Sequence, residues 1–183
     1  MSVKIAPWKT LRSELVFDHR WYKLRRDHVQ LPSGRILDDY FVSVRPDVVL
    51  VFPVTSDERV VLVRQYKHGA GEIFIELPGG VVDADDTQPS VAARRELLEE
   101  TGYAANELQH VMTVRDNPTK DTNRVHFFLA RNVQPVAAQR LDEAESIEVL
   151  TVPVTDIAAM IQRGDIHVAG SVALCLLALQ QLG

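Results

Sequence analysis

The chain has 183 residues, of which 46% are hydrophobic and 25% charged, enough for one medium-sized domain with a sizeable core. Its net charge of −5 and lack of any basic block argue against nucleic acid as a partner. No apolar stretch is long enough to cross a bilayer, and the first residues lack an apolar signal core, so no membrane partner is expected. The single cysteine, Cys175, lies in an apolar run. It is expected to be a buried core residue in a cytoplasmic protein.

The first 45 residues are predicted to form strands. Residues 21–31 are a mixed run, Pro32-Ser33-Gly34 is a turn, and residues 35–44 alternate loosely. A three-stranded sheet with few large apolar residues is marginal on its own, so it needs support from the main domain or from a second subunit. We therefore predict a small N-terminal antiparallel β-sheet over residues 1–45, followed by a larger domain over residues 46–183.

The larger domain alternates strands and helices. Residues 48–52 are a continuous apolar run, which is typical of a strand buried on both faces. The remaining patterns predict strands at 60–66, 72–77, 107–115, 125–130 and 147–152, and helices at 88–101, 154–163 and 168–182. This order favours an α/β fold in which a mixed sheet lies between helices.

The most informative segment is Arg95-Glu96-Leu97-Leu98-Glu99-Glu100-Thr101-Gly102. Glu96, Glu99 and Glu100 are spaced i, i+3 and i+4, so they lie on one helix face. Gly102 is a predicted C′ residue, which puts the carboxylates at the negative end of the helix dipole. Two unit charges ~5 Å apart repel by roughly 3 kcal/mol at an effective dielectric of ~20. A solvated helix face is the simpler interpretation, but a divalent cation would turn the repulsion into coordination.

The flanking residues favour the cation. Upstream lies Glu76-Leu77-Pro78-Gly79-Gly80, which ends a predicted strand and opens a loop. Asp86, Thr87 and Pro89 are candidate capping and first-turn residues for the helix. Ala92 and Ala93 lie on the carboxylate face, where small side chains leave room for a hydrated metal and a bulky anion.

This assembly closely resembles the Nudix box, the loop-helix-loop signature of the Nudix hydrolases. Gly80 matches the first glycine of the pattern, and Arg95 through Tyr103 match its second half. Fourteen residues separate Gly80 from Arg95, one more than in the pattern, and Thr87 stands where the first glutamate belongs. We interpret this as a one-residue loop insertion. The resemblance implies an α/β/α sandwich.

The candidate metal ligands follow from the carboxylates and from the resemblance. Magnesium prefers a few oxygen ligands completed by water and substrate phosphates, so Glu96 and Glu100 are the first two candidates and Glu99 contributes to a further ion. The resemblance adds the backbone carbonyl of Gly79. Arg95 is expected to neutralise carboxylates within the box. The predicted cofactor is Mg²⁺, with Mn²⁺ as a possible substitute.

A second acidic cluster covers residues 142–148. On the sequence alone it is more simply a solvated loop. ADP-ribose pyrophosphatases of the Nudix family carry a Glu-x-Glu-x-Ile loop in this position, which implies that Glu145 is a further metal ligand and Glu143 the general base. Asp142 and Glu148 are alternative bases.

Substrate contacts are expected from two aromatic and three basic residues. Trp21 and then Tyr40 are candidates for stacking on a base, although either could pack within the sheet. The cations that could reach phosphate or ribose are Arg45, Arg64 and Lys67, each of which could equally have an ordinary surface role. Pro118 stands close to a characteristic proline of the ADP-ribose pyrophosphatases.

The resemblance therefore implies Mg²⁺-dependent hydrolysis of a nucleoside diphosphate sugar by a homodimer, with ADP-ribose giving AMP and ribose 5-phosphate. The same chemistry on GDP-mannose, a dinucleotide or coenzyme A is the alternative within enzymes. A non-catalytic, nucleotide-sensing Nudix domain is the alternative outside them, but this chain retains the Arg-Glu and Glu-Glu pairs of the box.

Overall fold

A computed structural model describes residues 5–182 of the chain, and its internal contacts divide them into two units. One unit comprises the described residues up to Pro46 together with Asn117–Asn123. The other comprises Asp47–Asp116 and the described residues from Arg124 onward.

The smaller unit is built on an antiparallel sheet in the order β1-β2-β3. Its strands are β1 (Lys9–His19), β2 (Tyr22–Gln30) and β3 (Ile36–Val44). Ser43 at the end of β3 bridges to Asp121 of the second segment. Among the hydrophobic residues described in this unit, Val29 alone is buried. The unit therefore has little core of its own, as the sparse apolar pattern predicted.

The larger unit is a mixed sheet with helices on both faces. The elements are β4 (Val48–Val54), β5 (Arg59–Lys67), β6 (Glu72–Glu76), β7 (Gly79–Val81), α1 (Pro89–Thr101), β8 (Tyr103–Ala104), β9 (Leu108–Val114), β10 (Val125–Arg131), β11 (Gln134–Pro135), β12 (Ile147–Pro153), α2 (Ile157–Arg163) and α3 (Ala169–Leu182). The main path is β12-β5-β4-β10-β9, with β6 paired to β5 and β7 paired to β4. Strands β4 and β10 are parallel and the other pairs of this sheet are antiparallel.

Alternate side chains of the central strands enter two different cores. Phe52 and Leu62 pack with α2 and α3 residues on one face, whereas Val49 and Val51 pack with Ala92 and Leu97 of α1 on the other. The sandwich and the doubly buried strand predicted over residues 48–52 are thus confirmed. No helix of the described chain is long and apolar enough to span a membrane.

The boundaries of α1 follow from its terminal residues. Pro89 is its first residue, where a missing N–H costs nothing. The predicted caps Asp86 and Thr87 are wrong: Gln88 is the N-cap and makes no side-chain capping bond. At the other end Gly102 has φ 74° and donates its N–H to Leu98 O, as expected of a C′ glycine.

Gly102→Ala should destabilise the protein by about 3 kcal/mol, since it adds an overpacking cost to left-handed strain. A Cβ at this position would lie 2.2 Å from the carbonyl oxygen of Ala137. Gly164, the C-cap of α2, has φ 80° and open space around it, so Gly164→Ala should cost only about 1 kcal/mol. Urea denaturation of both variants checks this, and equal losses would contradict the steric argument.

Candidate active site

Packing of α1 fixes the direction of its carboxylates. Ala92, Ala93 and Leu97 are buried against the sheet, which draws the adjoining face of the helix inward. Glu100 on that face is only 4% exposed, and Glu96 is half-buried. A solvated helix face, the simpler interpretation of these glutamates, does not describe Glu100.

Glu100 is held at the turn that follows β6. Its Oε2 accepts the backbone N–H of Gly79 at 2.8 Å. Burial, together with the nearby charges of Glu96 and Glu145, raises the pKa of Glu100 to about 8, against the lowering effects of the Gly79 N–H and the Lys67 charge. Burial also raises the pKa of Glu96. The site therefore concentrates carboxylates where ionisation is costly without a compensating cation.

The two glycines of the turn are required for different reasons. A Cβ on Gly79 would lie 2.1 Å from the carbonyl oxygen of Val49, because β7 pairs with β4 here. A Cβ on Gly80 would lie 2.5 Å from the Glu96 carboxylate. The backbone thus passes directly against the carboxylate of Glu96, and no larger residue leaves that carboxylate in place.

The glycine pair gives a contrast that separates function from folding. Gly80→Ala should leave the melting temperature within a few degrees of the wild type, because the flexible Glu96 side chain can move aside. The displaced Glu96 carboxylate should lower the rate of the hydrolysis that the Nudix resemblance implies about tenfold or more. Gly79→Ala should instead destabilise the fold, because its Cβ would meet the backbone carbonyl oxygen of Val49, which is fixed in a central strand. Melting curves and initial rates on both variants test this. Loss of stability in Gly80→Ala with normal turnover would contradict the argument.

Arg95 contacts more partners than any other side chain described in this site. Its guanidinium contacts Glu96 Oε1 at 2.8 Å, Glu99 Oε2 at 3.4 Å, Asp86 Oδ2 at 3.1 Å and the carbonyl oxygen of Val81 at 2.9 Å. Partial burial disfavours its charge, but the carboxylates of Asp86, Glu96 and Asp83 raise the pKa of Arg95. Arg95 therefore links the loop containing Asp86 to the carboxylate face of α1. Asp86, which was predicted to cap this helix, binds Arg95 instead.

The acidic loop begins beside the C-terminus of α1. The side chain of Gln139 donates to the carbonyl oxygens of Glu100 and Ile147 at 2.5 and 3.2 Å, so it links α1 to the start of β12. Glu145 lies close enough to raise the pKa of both Glu96 and Glu100. Glu143 is exposed and forms no ion pair among the described residues. Glu148 is paired with Arg64.

Lys67 and two unpredicted polar residues approach the same site from β5 and β6. Lys67 Nζ lies 3.2 Å from Glu76 Oε1, and its charge lowers the pKa of Glu100. Gln65 donates to the same Glu76 oxygen at 3.1 Å, and both residues are buried. Glu76 was expected only as the residue before the Leu77-Pro78-Gly79-Gly80 turn, and no role was predicted for Gln65. Their pattern within an ordinary strand carries no local signal of burial.

The remaining predicted substrate residues lie in the smaller unit. Tyr40 packs edge-on against Trp8 with centroids 5.4 Å apart and lies under Lys120. It lines a cavity of about 400 Å³ that also contains Pro118. Arg45 pairs with Asp121 at 3.4 Å. Trp21 is 77% exposed at the β1–β2 turn, some 20 Å along β2 from Asp27, the cross-strand partner of Tyr40. The two aromatic candidates therefore do not meet within one chain.

The donor set suits a hard divalent cation. Gly79 O, Glu96, Glu99, Glu100 and Glu145 supply only oxygen, which Mg²⁺ and Mn²⁺ prefer. The described residues contain no preformed cluster of three or more acidic, His or Cys side chains in ligand geometry. Arg95 pairs with both Glu96 and Glu99. The half-buried Glu96 and the buried Glu100, which repel each other, nevertheless fit a cation as their compensating charge.

Comparison with known proteins gives concordant matches. Residues 44–171 match the NUDIX domain, and residues 8–43 match the nucleoside diphosphate sugar hydrolase N-terminal domain. An ADP-ribose pyrophosphatase from Bacillus subtilis is 30% identical over 87% of this chain and 85% of its own length. A GDP-mannose pyrophosphatase from Citrobacter koseri is 34% identical over 60% of this chain and 61% of its own length.

A solved structure described as an ADP compounds hydrolase shares the fold. Its TM-score is 0.86 at 22% sequence identity, with coverage of 99% of this chain and 97% of that one. The family model spans more than half of the chain, and it contains the Gly79–Gly80 turn and the carboxylates of α1. The chain is therefore a member of the Nudix hydrolase family.

Proposed function

We propose that this protein is a Mg²⁺-dependent pyrophosphatase that hydrolyses a nucleoside diphosphate sugar, with ADP-ribose as the preferred substrate. The observation that carries the proposal is the burial of Glu100 beside Glu96 at a glycine turn. A carboxylate at 4% exposure is costly to ionise unless a counter-charge is present, and a divalent cation would supply that charge. The kinship with the B. subtilis ADP-ribose pyrophosphatase supports the choice of substrate.

Each proposed residue has a role that its position supports. Glu96, Glu99, Glu100, Glu145 and Gly79 O would hold the cation, which supplies neutralisation of phosphate charge and a lowered pKa of water. Glu143, exposed and without an ion pair in the described part of the chain, would accept the proton of the attacking water as general base. Glu148 is the weaker alternative because it is paired with Arg64.

Basic residues would orient the diphosphate. Lys67 lies near Glu100 and is well placed to donate to a phosphate oxygen. Arg95 keeps Glu96 and Glu99 in position. Water attack on one phosphorus of ADP-ribose, with departure of the other phosphate, gives AMP and ribose 5-phosphate.

We assign the specificity for a nucleotide sugar to the N-terminal region, residues 1–45. It matches a nucleoside diphosphate sugar hydrolase N-terminal domain over residues 8–43. Within the smaller unit, Tyr40 and Arg45 border Pro118 and Asp121. Trp21 is 77% exposed, with the Arg20 guanidinium 4.9 Å from its ring centroid. These are the surfaces proposed to contact base and ribose, and the single buried Cys175 supports the proposed cytoplasmic location.

A substrate panel tests the proposal. The purified protein should release AMP from ADP-ribose with Mg²⁺ and not in EDTA, with slower turnover of GDP-mannose, a dinucleotide and coenzyme A, as followed by chromatography. Preference for GDP-mannose would move the assignment to the alternative supported by the C. koseri relative. Binding of nucleotide without turnover of any compound in Mg²⁺ or Mn²⁺ would indicate a sensing domain instead.

We also propose a homodimer that uses the N-terminal sheet. Leu15 and Phe17 on β1 and Trp21 at the turn are all at least half exposed, which is costly for a free surface. Phe17→Glu should shift the protein from dimer to monomer in sedimentation equilibrium, while Leu176→Glu, at an exposed position of α3, should not. A wild-type monomer at micromolar concentration would exclude the dimer.

A further inference from the structure

Glu99 differs from the other two carboxylates of α1 in how it is compensated. Among the described residues, Glu96 accepts from Arg95 through Oε1 only, and Glu100 accepts from Gly79 through Oε2 only. Each therefore keeps one oxygen without a protein partner. Glu99 uses both oxygens: Oε2 contacts Arg95 at 3.4 Å and Oε1 forms an ion pair with Arg140.

The backbone holds Arg140 in this position. Its N–H donates to the carbonyl oxygen of Glu99 at 2.9 Å, at the C-terminal end of α1. The preceding Gln139 donates to the carbonyl oxygen of Glu100. Residues 139 and 140 thus cap the last turn of α1, and the same capping places the guanidinium of Arg140 on the Glu99 carboxylate.

Arg140 can leave Glu99 more easily than Arg95 can. The Arg140 side chain is 83% exposed, and it borders an open cavity of about 440 Å³ that is lined also by Leu98 and Ala138. Arg95 is anchored at the same time by Val81, Asp86 and Glu96. A cation that approaches Glu99 would therefore displace Arg140 first.

We propose that Arg140 is an internal counter-ion that occupies Glu99 in the metal-free protein and leaves when a second divalent cation binds. This inference rests on the proposed cation site. The first cation uses Glu96 and Glu100, each of which keeps one carboxylate oxygen without a hydrogen bond from the described residues. The second requires Glu99, so its affinity is lowered by competition with Arg140. Arg140 is a positioning residue that sets how many cations are bound at a given concentration.

Mn²⁺ binding to the whole protein tests this without reference to turnover. Free Mn²⁺ is followed by electron paramagnetic resonance during titration of wild type, Arg140→Gln, Arg140→Lys and Arg94→Gln. Arg94 is the matched control, since it lies on α1 and borders the same cavity. Among the described residues its guanidinium donates to the carbonyl oxygens of Ala105 and Asn106 and to no carboxylate. Melting curves establish that each variant is folded.

The wild type should show a tighter and a weaker class of site. Arg140→Gln should lower the dissociation constant of the weaker class about two- to fivefold, the range expected when one exposed ion pair is removed, and leave the tighter class unchanged. Arg140→Lys should give a smaller change because it keeps the charge, and Arg94→Gln should match the wild type. Identical isotherms for wild type and Arg140→Gln, or weaker binding by Arg140→Gln, would overturn the role of Arg140 alone. No Mn²⁺ binding by the wild type would overturn the proposed function itself.

Discussion

Glu100→Gln should reduce the kcat of Mg²⁺-dependent pyrophosphate hydrolysis by about 10²–10³-fold, because it removes one carboxylate charge from the proposed cation site, where each 1.36 kcal/mol of lost charge stabilisation is a factor of ten. The substitution is sterically conservative. Glutamine keeps an oxygen that can accept the Gly79 N–H now 2.8 Å from Glu100 Oε2. The fold should therefore survive, and the measured loss reports on charge.

The control for this variant is Glu107→Gln. Glu107 is exposed just before β9 in the same unit, so removing its charge changes the net charge by the same amount without touching the site. Its initial rates should lie within twofold of the wild type. Turnover by Glu100→Gln near the wild-type rate at saturating Mg²⁺ would remove Glu100 from the ligand set and leave its burial without the proposed explanation.

Local sequence signals predicted the fold where they were strong. Pro89 and Gly102 bounded α1 to within a residue, because both act through the backbone. The short strand β7 was not predicted, since its Gly79 and Gly80 weaken any strand pattern and its pairing with β4 is a long-range contact. The predicted helix over 154–163 begins with a 3₁₀ turn at Val154–Asp156, a distinction that residue spacing does not make.

In the candidate site, too, features set by local spacing were predictable and features set by long-range contacts were not. Helical spacing alone brought Glu96, Glu99 and Glu100 to one face, but it could not show which of them is buried. Contacts across the fold made the other features unpredictable: Asp86 turns to Arg95 instead of capping α1, and Arg140 reaches Glu99 from 41 residues away. An isolated arginine in an irregular segment carries no signal of such a partner.

The raised pKa of Glu100 also predicts how the metal-free protein responds to pH. The pKa is about 8 in the folded state against an ordinary value of 4.5, so between these values the folded protein binds more protons than the unfolded one. Stability contributed by the protonated form is then fully present below about pH 4.5 and is lost as pH rises toward 8. Each unit of pKa difference corresponds to about 1.4 kcal/mol, so the free energy of unfolding falls by up to about 5 kcal/mol over this pH range. Burial of Glu96 raises its pKa in the same direction.

Denaturation in EDTA at pH 5, 6, 7 and 8 isolates this effect when wild type and Glu100→Gln are compared, because the other titrating groups are common to both. The free energy of unfolding of the wild type should fall relative to the variant by several kcal/mol across the range, a difference of about 10 °C in melting temperature. Millimolar Mg²⁺ should raise the wild-type melting temperature most at pH 8, because the cation replaces the proton as the counter-charge of the buried carboxylate. A difference between wild type and variant that does not change with pH would mean that Glu100 is ionised in the folded metal-free protein, and that Arg95 and Lys67 already supply the charge assigned here to a cation.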